Sequence, residues 1–477
     1  MSISAERVFH YFKEICKIPH GSGETEKIAE YCVEYAKKHN YRYVYDDAGN
    51  VIIYANGTCG LENKAPVVLQ GHLDMVCEKT AECTKDMSKE GIDVYEEDGW
   101  LTADGTTLGG DDGIAIAYIL ALLEDDTIPH PPVEALLTKD EETGMYGAKG
   151  LDGKNITGRT VINIDSEEEG ILTVSCAGGA RIRCTLSGER KAAQGRAYRI
   201  KVSGLKGGHS GIEIHKNRTN ASVLLARVLY SLGQKADIVL SEITGGSKMN
   251  VITKSANAVI LSENGDIVSE TEKIAQAVSK ELSRTEPDLK ITAEECEMPD
   301  TAFDKAVTDK IIFFLYNITD GVIEMSPDID GLVQTSVNLG VLNTNGCTVF
   351  TEHLARSNAS DGLGAVCSKF ESFVKYVGGD IECEYDYPAW EYRENSPLRD
   401  TMVKVYEEMY GKKPVIAAIH AGLECGIFAE KLDNADMVSF GPDIENVHTP
   451  DERLSIASVE RGWEYLLKVL YELTVNS

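Results

Sequence analysis

An α/β protein carrying a second, inserted α+β domain is what the sequence predicts, on three observations. The chain has 477 residues, more than one hydrophobic core usually serves. Up to residue 186, and again after 391, short apolar runs of the kind that form buried strands alternate with helical periods. Between 187 and 390 the texture changes to amphipathic helices separated by alternating strands, an α+β idiom. The predicted domains are therefore 1–186 with 391–477, and 187–390 inserted between them, an arrangement that requires only neighbouring chain ends at a surface.

In order along the chain, Ser22-Gly23-Glu24-Thr25-Glu26 reads as a helix start before the periodic run Ile28 to Ala36. Asp46 to Asn50 reads as a turn between strands Tyr41 to Tyr45 and Val51 to Tyr54. Pro66 to Gln70, Val133 to Thr138 and Thr160 to Ile164 are central strands, and Ile114 to Leu123, apolar nearly all round, is a buried helix. Polar residues gather at the strand ends, where open α/β sheets place their ligands. The inserted segment offers helices at Ala221 to Leu232, Glu270 to Leu282, Lys305 to Tyr316 and Leu363 to Val377, with a strand over Asn250 to Leu261. Gly245 to Leu261 and Gly331 to Leu342, both glycine-led strands, suggest a degenerate duplication. A helix from Leu398 to Tyr410, a strand from Val415 to Ile419 and a last helix from Val459 to Leu473 return to the first domain.

Lys plus Arg is 47 against 77 Asp plus Glu, a formal charge of -30 that repels phosphate backbones and anionic lipid. Nucleic acid is not expected as a partner, and a solvated acidic surface accounts for most of the excess. The N-terminus shows no basic n-region with an uninterrupted apolar h-region, and no apolar stretch reaches the roughly 18 residues that span a bilayer. Twelve cysteines are scattered without a C-x-x-C pair, which suits reduced thiols. A cytoplasmic protein independent of membranes is expected.

Five segments concentrate the side chains a metal site needs. His72 and Asp74, two apart at the end of an apolar strand, face the same way, and a carboxylate behind an imidazole fixes its tautomer; a satisfied structural histidine reads equally well. Asp111-Asp112, flanked by glycines, opens the buried helix as ligands or as caps. Asp140-Glu141-Glu142 are three acids in a row at a strand end, costly without a cation or solvent. Asp165 closes another strand, and Gly441 to Glu452 supplies His448 among further acids. Together they offer nitrogen and oxygen donors suited to zinc, manganese or cobalt.

In this order, His72-x-Asp74, Gly110-Asp111-Asp112-Gly113, Asp140-Glu141-Glu142-x-Gly144, Asp165 and His448 resemble the M20 metallopeptidases. Ile18-Pro19-His20-Gly21-Ser22, His420-Ala421-Gly422-Leu423-Glu424-Cys425-Gly426 and Val447-His448-Thr449-Pro450-Asp451-Glu452 resemble their aminoacyl-histidine, or cytosolic non-specific, dipeptidase branch, and the likeness spans the whole chain. The resemblance implies a zinc-peptidase-like α/β catalytic domain with an inserted α+β lid. It implies two divalent ions, zinc foremost and cobalt or manganese otherwise, with Asp111 bridging, His72 and Asp165 completing one site, and Glu142 and His448 the other. Asp74 then orients His72, and Glu141 is the general base for a water held between the ions. His209, in Gly207-Gly208-His209-Ser210-Gly211, resembles the lid histidine that stabilises the oxyanion, although by itself it reads as a loop histidine. Asn250 and Arg356 are candidates for the substrate carboxylate, with Gly422 and Glu424 lining the pocket; arginine pairs bidentately with carboxylates. Gly110 stands where the branch carries Ala, which should loosen the loop slightly.

The expected activity is hydrolysis of unblocked dipeptides with broad specificity, extending to Xaa-His including β-alanyl-histidine, by a monomer or homodimer. An N-acyl-amino-acid amidohydrolase with the same metals is the first alternative and a non-catalytic peptide-binding protein the second. Gly208 to Gly211 falls short of a serine-hydrolase elbow, since position 212 is Ile, and Gly147 to Lys154 has the wrong spacing for a phosphate loop.

Overall fold

A computed structural model describes residues 4–475. The chain divides into two compact units: 1–176 with 392–418 and 423–477, and 177–391 with 419–422. The first break falls earlier than residue 187 because Gly178–Ser187 pairs along its length with Thr348–Ser357 and Asp380–Tyr387, so its hydrogen bonds belong to the second unit.

The first unit is built on an eight-stranded sheet, ordered 42–45, 51–55, 133–138, 67–72, 160–163, 436–439, 171–176, 415–419. Its middle is parallel: Val67–His72 lies between Val133–Thr138 and Thr160–Asn163, and Asp436–Ser439 continues beside the latter. Both 67–72 and 133–138 are buried at every position, which is why they read as continuous apolar runs rather than alternations. Four parallel strands thus end on one edge of the sheet; His72 is the last residue of one, and the segments that follow the others carry Glu141 and Glu142, Asp165 and His448.

Helix Gly110–Leu123 packs on the strand 67–72, with Gly113 to Leu123 wholly buried. Tyr118 anchors it to the C-terminal helix Ile456–Val475: its hydroxyl donates to the Val459 carbonyl at 2.8 Å and its ring stacks on Trp463, centroids 6.0 Å apart. Strand and helix approach so closely that a Cβ at Gly71 would lie 2.4 Å from Ala115 Cβ and 2.6 Å from Asp112 Oδ2, so only glycine fits beside His72.

The second unit holds a nine-stranded sheet ordered 290–295, 196–203, 256–262, 239–245, 333–345, 348–357, 178–187, 380–387, with 321–325 beside 333–345. Its core includes Leu225 and Leu229 of helix Ala221–Gly233, Phe314 of Lys305–Asn317 and Phe370 of Ser360–Val377. The strand expected over Asn250 to Leu261 is two elements: Val251–Ile252 pairs with Gly208–His209, and Ala256–Ser262 joins the sheet. The proposed duplication accordingly dissolves, since Val333–Asn345 is one unbroken strand where the earlier segment is divided.

Inside this core His353 is fully buried, its Nε2 on Thr351 Oγ1 at 2.9 Å and its Nδ1 without a partner among the described residues. Burial pushes its pKa down to about 3. The unfolded chain takes up a proton here as pH falls through about 6.5 and the folded chain does not, so stability is lost from there downward by about 1.4 kcal/mol per pH unit. Denaturant titrations between about pH 7 and about pH 5 should show His353→Leu losing less stability over that interval than the parent, and equal slopes would refute the assignment.

Candidate metal centre

Asp111 stands at the middle of the cluster and uses both oxygens. Oδ1 lies 3.0 Å from His72 Nε2 and Oδ2 lies 3.3 Å from His448 Nε2. His72 Nε2 is also 3.5 Å from Asp165 Oδ1, and His448 Nε2 is 2.8 Å from Glu142 Oε1. The five positions expected to hold metals therefore converge as two sets sharing Asp111. Ligand atoms of His72, Asp112 and Asp165, of His72, Glu141 and Glu142, and of Asp111, Glu142 and His448 can each gather within 4.8 Å.

His72 is fixed from behind. Its Nδ1 is 2.9 Å from the Asp74 main-chain carbonyl and 3.5 Å from the Asp74 carboxylate, so the carbonyl is the nearer orienter. An Nδ1–H donated there leaves the Nε2 lone pair facing Asp111 and Asp165. The Asp74 carboxylate does something else: Oδ1 accepts the Glu141 N–H at 2.8 Å, and Oδ2 accepts the Glu142 N–H at 3.3 Å and the Ser22 hydroxyl at 2.8 Å. It holds the turn that presents both glutamates. Asp140, the first of the three consecutive acids, turns away and accepts the Gly23 N–H at 2.6 Å, so only two of the three charges enter the cluster.

Asp111 and Asp112 have non-helical dihedrals, and the peptide between them is cis. Asp112 is buried, with Oδ2 on the His72 N–H at 3.0 Å. The pair is thus divided in function, one side chain entering the cluster and the other fastening the strand end to the helix.

The electrostatics are those of a site short of positive charge. Burial would depress His72, yet the carboxylates of Asp111, Asp165 and Asp74 outweigh it and hold its pKa well above the ordinary value. Hydrogen bonds to Asp111 and Glu142 push His448 up to about 10. Burial, with Asp111 and Glu142 adding to it, pushes Asp165 up to about 6, and burial lifts Glu141 well above the usual range. Divalent cations meet this need, and a set of two imidazoles and three carboxylates suits zinc, manganese or cobalt better than an oxygen-only ion such as calcium.

In the second unit, His209, Ser210 and Arg356 converge around Gly211: a Cβ there would lie 3.1 Å from His209 Cε1, 3.2 Å from Arg356 Cζ and 2.5 Å from the His420 carbonyl. Arg356 is 4% exposed. Its Nη1 donates to Ser210 Oγ at 2.8 Å, its Nε has no partner, and no carboxylate lies within ion-pair distance among the described residues. Asn250 is exposed, its carbonyl accepting the Ser210 N–H at 2.9 Å. Gly422 packs against Tyr387, whose ring leaves no room for a Cβ.

Glu424, expected to line a pocket, is wholly buried in the first unit. Its Oε2 takes Gln70 Nε2 at 2.6 Å and Thr138 Oγ1 at 2.7 Å, and burial pushes its pKa up to about 8. These bonds join the ends of strands 67–72 and 133–138, so its contribution is support rather than direct contact.

One residue at the site carried no role in the sequence reading. Glu452 is 2% exposed, and its carboxylate accepts four consecutive main-chain N–H groups: Leu108 at 2.8 Å, Gly109 at 3.1 Å, Gly110 at 2.8 Å and Asp111 at 3.4 Å. The loop is therefore gripped at Gly110, where loosening was expected. The signal was its place four residues after His448; the partner segment, over 340 positions away, was not visible locally. Glu452→Gln puts an amide N–H against these donors. It should weaken divalent-ion affinity about 10- to 100-fold with the far-UV spectrum unchanged, as read by competition with a chromophoric chelator; undiminished affinity would sink the clamp.

Residues 68–472 match the model of peptidase family M20/M25/M40. The chain is 38% identical over 476 residues to the cytosol non-specific dipeptidase of Escherichia coli K12, covering 99% of this chain and 98% of that protein. The crystal structure of aminoacylhistidine dipeptidase from Vibrio alginolyticus superimposes with a TM-score of 0.92 at 37% identity, over 99% of this chain and 97% of that one. A tripeptidase from Staphylococcus aureus, 16% identical with a TM-score of 0.58 over the full length of both chains, shares the fold. On the family match and the near-complete overlap with a curated relative, the chain belongs to peptidase family M20/M25/M40.

Proposed function

We propose that this protein is a cytoplasmic metallopeptidase that hydrolyses unblocked dipeptides with broad specificity, extending to Xaa-His including β-alanyl-histidine. The observation that carries the metal-dependent reading is the Asp111 carboxylate, one oxygen facing His72 and Asp165 and the other facing His448 and Glu142. The names of the two full-length relatives support the dipeptide as substrate and the cytosol as compartment. Asp111, His72 and Asp165 would hold one divalent ion, and Asp111, Glu142 and His448 a second, zinc foremost and cobalt or manganese otherwise. Bound there, such ions supply Lewis acidity and bring the pKa of water toward neutrality.

The chain's own groups do the rest. Glu141, whose main chain is tied to Asp74, takes a proton from the attacking water and returns it to the leaving amine. Asp74 and Glu452 keep the two acidic turns from rearranging as charge moves. From the second unit, His209 donates to the oxygen that becomes negative, and Asn250 and Arg356 receive the substrate's terminal carboxylate. The support for Arg356 is physical: a buried guanidinium with no anionic partner among the described residues is costly, and a planar fork pairs well with a carboxylate. Gly422 lines the binding region and Glu424 supports the strand ends.

Chelator-stripped protein, with zinc, manganese or cobalt restored, should release free amino acids from dipeptides only with metal. Glu141→Ala should cut kcat about 10²- to 10⁴-fold. Cleavage confined to N-acetyl amino acids would replace the dipeptidase with an amidohydrolase, and metal binding without cleavage of any substrate would make the chain a binding protein.

Arg356→Ala should lower kcat/KM for dipeptides about 10- to 100-fold, and Lys should recover little of it. The same variant should narrow the preference for dipeptides over dipeptide amides. An unchanged preference would remove Arg356 from carboxylate binding.

A further inference from the structure

The turn around His209 closes on one carboxylate. Glu213 Oε2 accepts the His209 main-chain N–H at 3.0 Å, and Oε1 takes Lys216 Nζ at 3.0 Å and Arg218 Nη2 at 2.8 Å. The Glu213 N–H returns to the His209 carbonyl at 3.1 Å, and Arg218 also donates to the Gly207 carbonyl. Gly208, at φ +142°, lets the chain pass under these groups, since a Cβ there would lie 2.2 Å from Arg218 Nη1 and 2.5 Å from Glu213 Oε2.

Within the turn, two main-chain donors aim at the ring itself. The N–H groups of Gly211 and Ile212 reach His209 Nδ1 at 3.2 and 3.1 Å. A ring nitrogen that accepts a hydrogen bond carries no proton, so in the neutral ring the proton is on Nε2. A second proton on Nδ1 would have to displace both main-chain donors. Burial and the nearby Arg356 charge lower the pKa of the ring, and the Glu213 charge opposes them without reversing the direction.

We infer that Glu213 is a positioning residue that folds the 207–213 turn onto His209 and fixes that ring as a neutral donor through Nε2. Held so, the ring has no free lone pair and cannot shuttle protons; its only available act is to donate one hydrogen bond. Glu141 then has no competitor in this residue for the role of base. The use of that donor in turnover rests on the reading of His209 given above, whereas the tautomer does not.

Protein labelled with ¹⁵N-histidine reads the ring directly, with His209→Gln assigning the signals. In the neutral ring, at about pH 8, His209 Nδ1 should resonate as an unprotonated nitrogen and Nε2 as a protonated one. Glu213→Ala should bring a mixture of tautomers, as the turn that aims the Gly211 and Ile212 N–H groups at Nδ1 loosens. Its kcat should fall about 10- to 100-fold with KM and bound metal little changed. Glu213→Gln, which keeps an acceptor for the His209 N–H, should restore part of both, and it decides the matter where the alanine variant does not fold. A wild-type ring protonated on Nδ1, or variants that keep the wild-type signature, would overturn the inference. A changed tautomer with unchanged kcat would uphold it while removing His209 from turnover.

Discussion

Crowding of carboxylates at the ends of four parallel strands is the constraint from which the rest of the first unit follows. Asp74, Asp140, Glu141, Glu142, Asp165 and Glu452 lie on turns, and Asp111 and Asp112 on the first turn of helix Gly110–Leu123, and so many negative charges in partly buried positions repel one another strongly. The chain divides them into two groups. Asp74, Asp112, Asp140 and Glu452 each accept at least one main-chain N–H and are spent on holding turns. Asp111, Glu141, Glu142 and Asp165 accept no main-chain N–H among the described hydrogen bonds. The carboxylates left without peptide donors are the three that face the two histidines, Asp111, Glu142 and Asp165, and Glu141, the proposed base. Structural and chemical acids are thus distinguished by hydrogen bonding rather than by burial or position along the chain.

That distinction explains what could be read from the sequence. The central strands were legible because burial on both faces makes them continuous apolar runs, and the buried helix because it is apolar on every side. The cluster was legible because most of its acids and histidines end or follow a strand, with Asp111 opening the buried helix, and parallel strands must bring their ends together. Which acid turns inward was not legible for Asp140, because the answer lies in the Gly23 N–H from a helix start 117 residues earlier. The same holds for Glu452, whose partners lie over 340 residues away. Peptide groups are identical in every sequence, so a role defined by accepting them leaves little local trace.

In the second unit the misreadings have a related origin. The segment from Asn250 to Leu261 alternates as a strand should, but Val251–Ile252 is drawn off to pair with Gly208–His209 and only the remainder stays in the sheet. This short pairing ties the turn that bears His209 to the turn that bears Asn250, and the Ser210 N–H to Asn250 carbonyl bond extends it. Hydrophobic periodicity reports which face is buried and says nothing about which partner takes the edge.

The buried Arg356 guanidinium, without an anionic partner among the described residues, also bears on selectivity. Its charge has lost hydration without full repayment, so a ligand carboxylate gains both the new hydrogen bonds and relief of that cost, whereas a neutral amide gains little of either. Dipeptides and N-acyl amino acids both carry such a terminal carboxylate, and their amides do not. The carboxylate contact proposed for Arg356 cannot by itself separate the two substrate classes, so the choice of a free amine over an acyl group has to be made at the opposite end of the substrate.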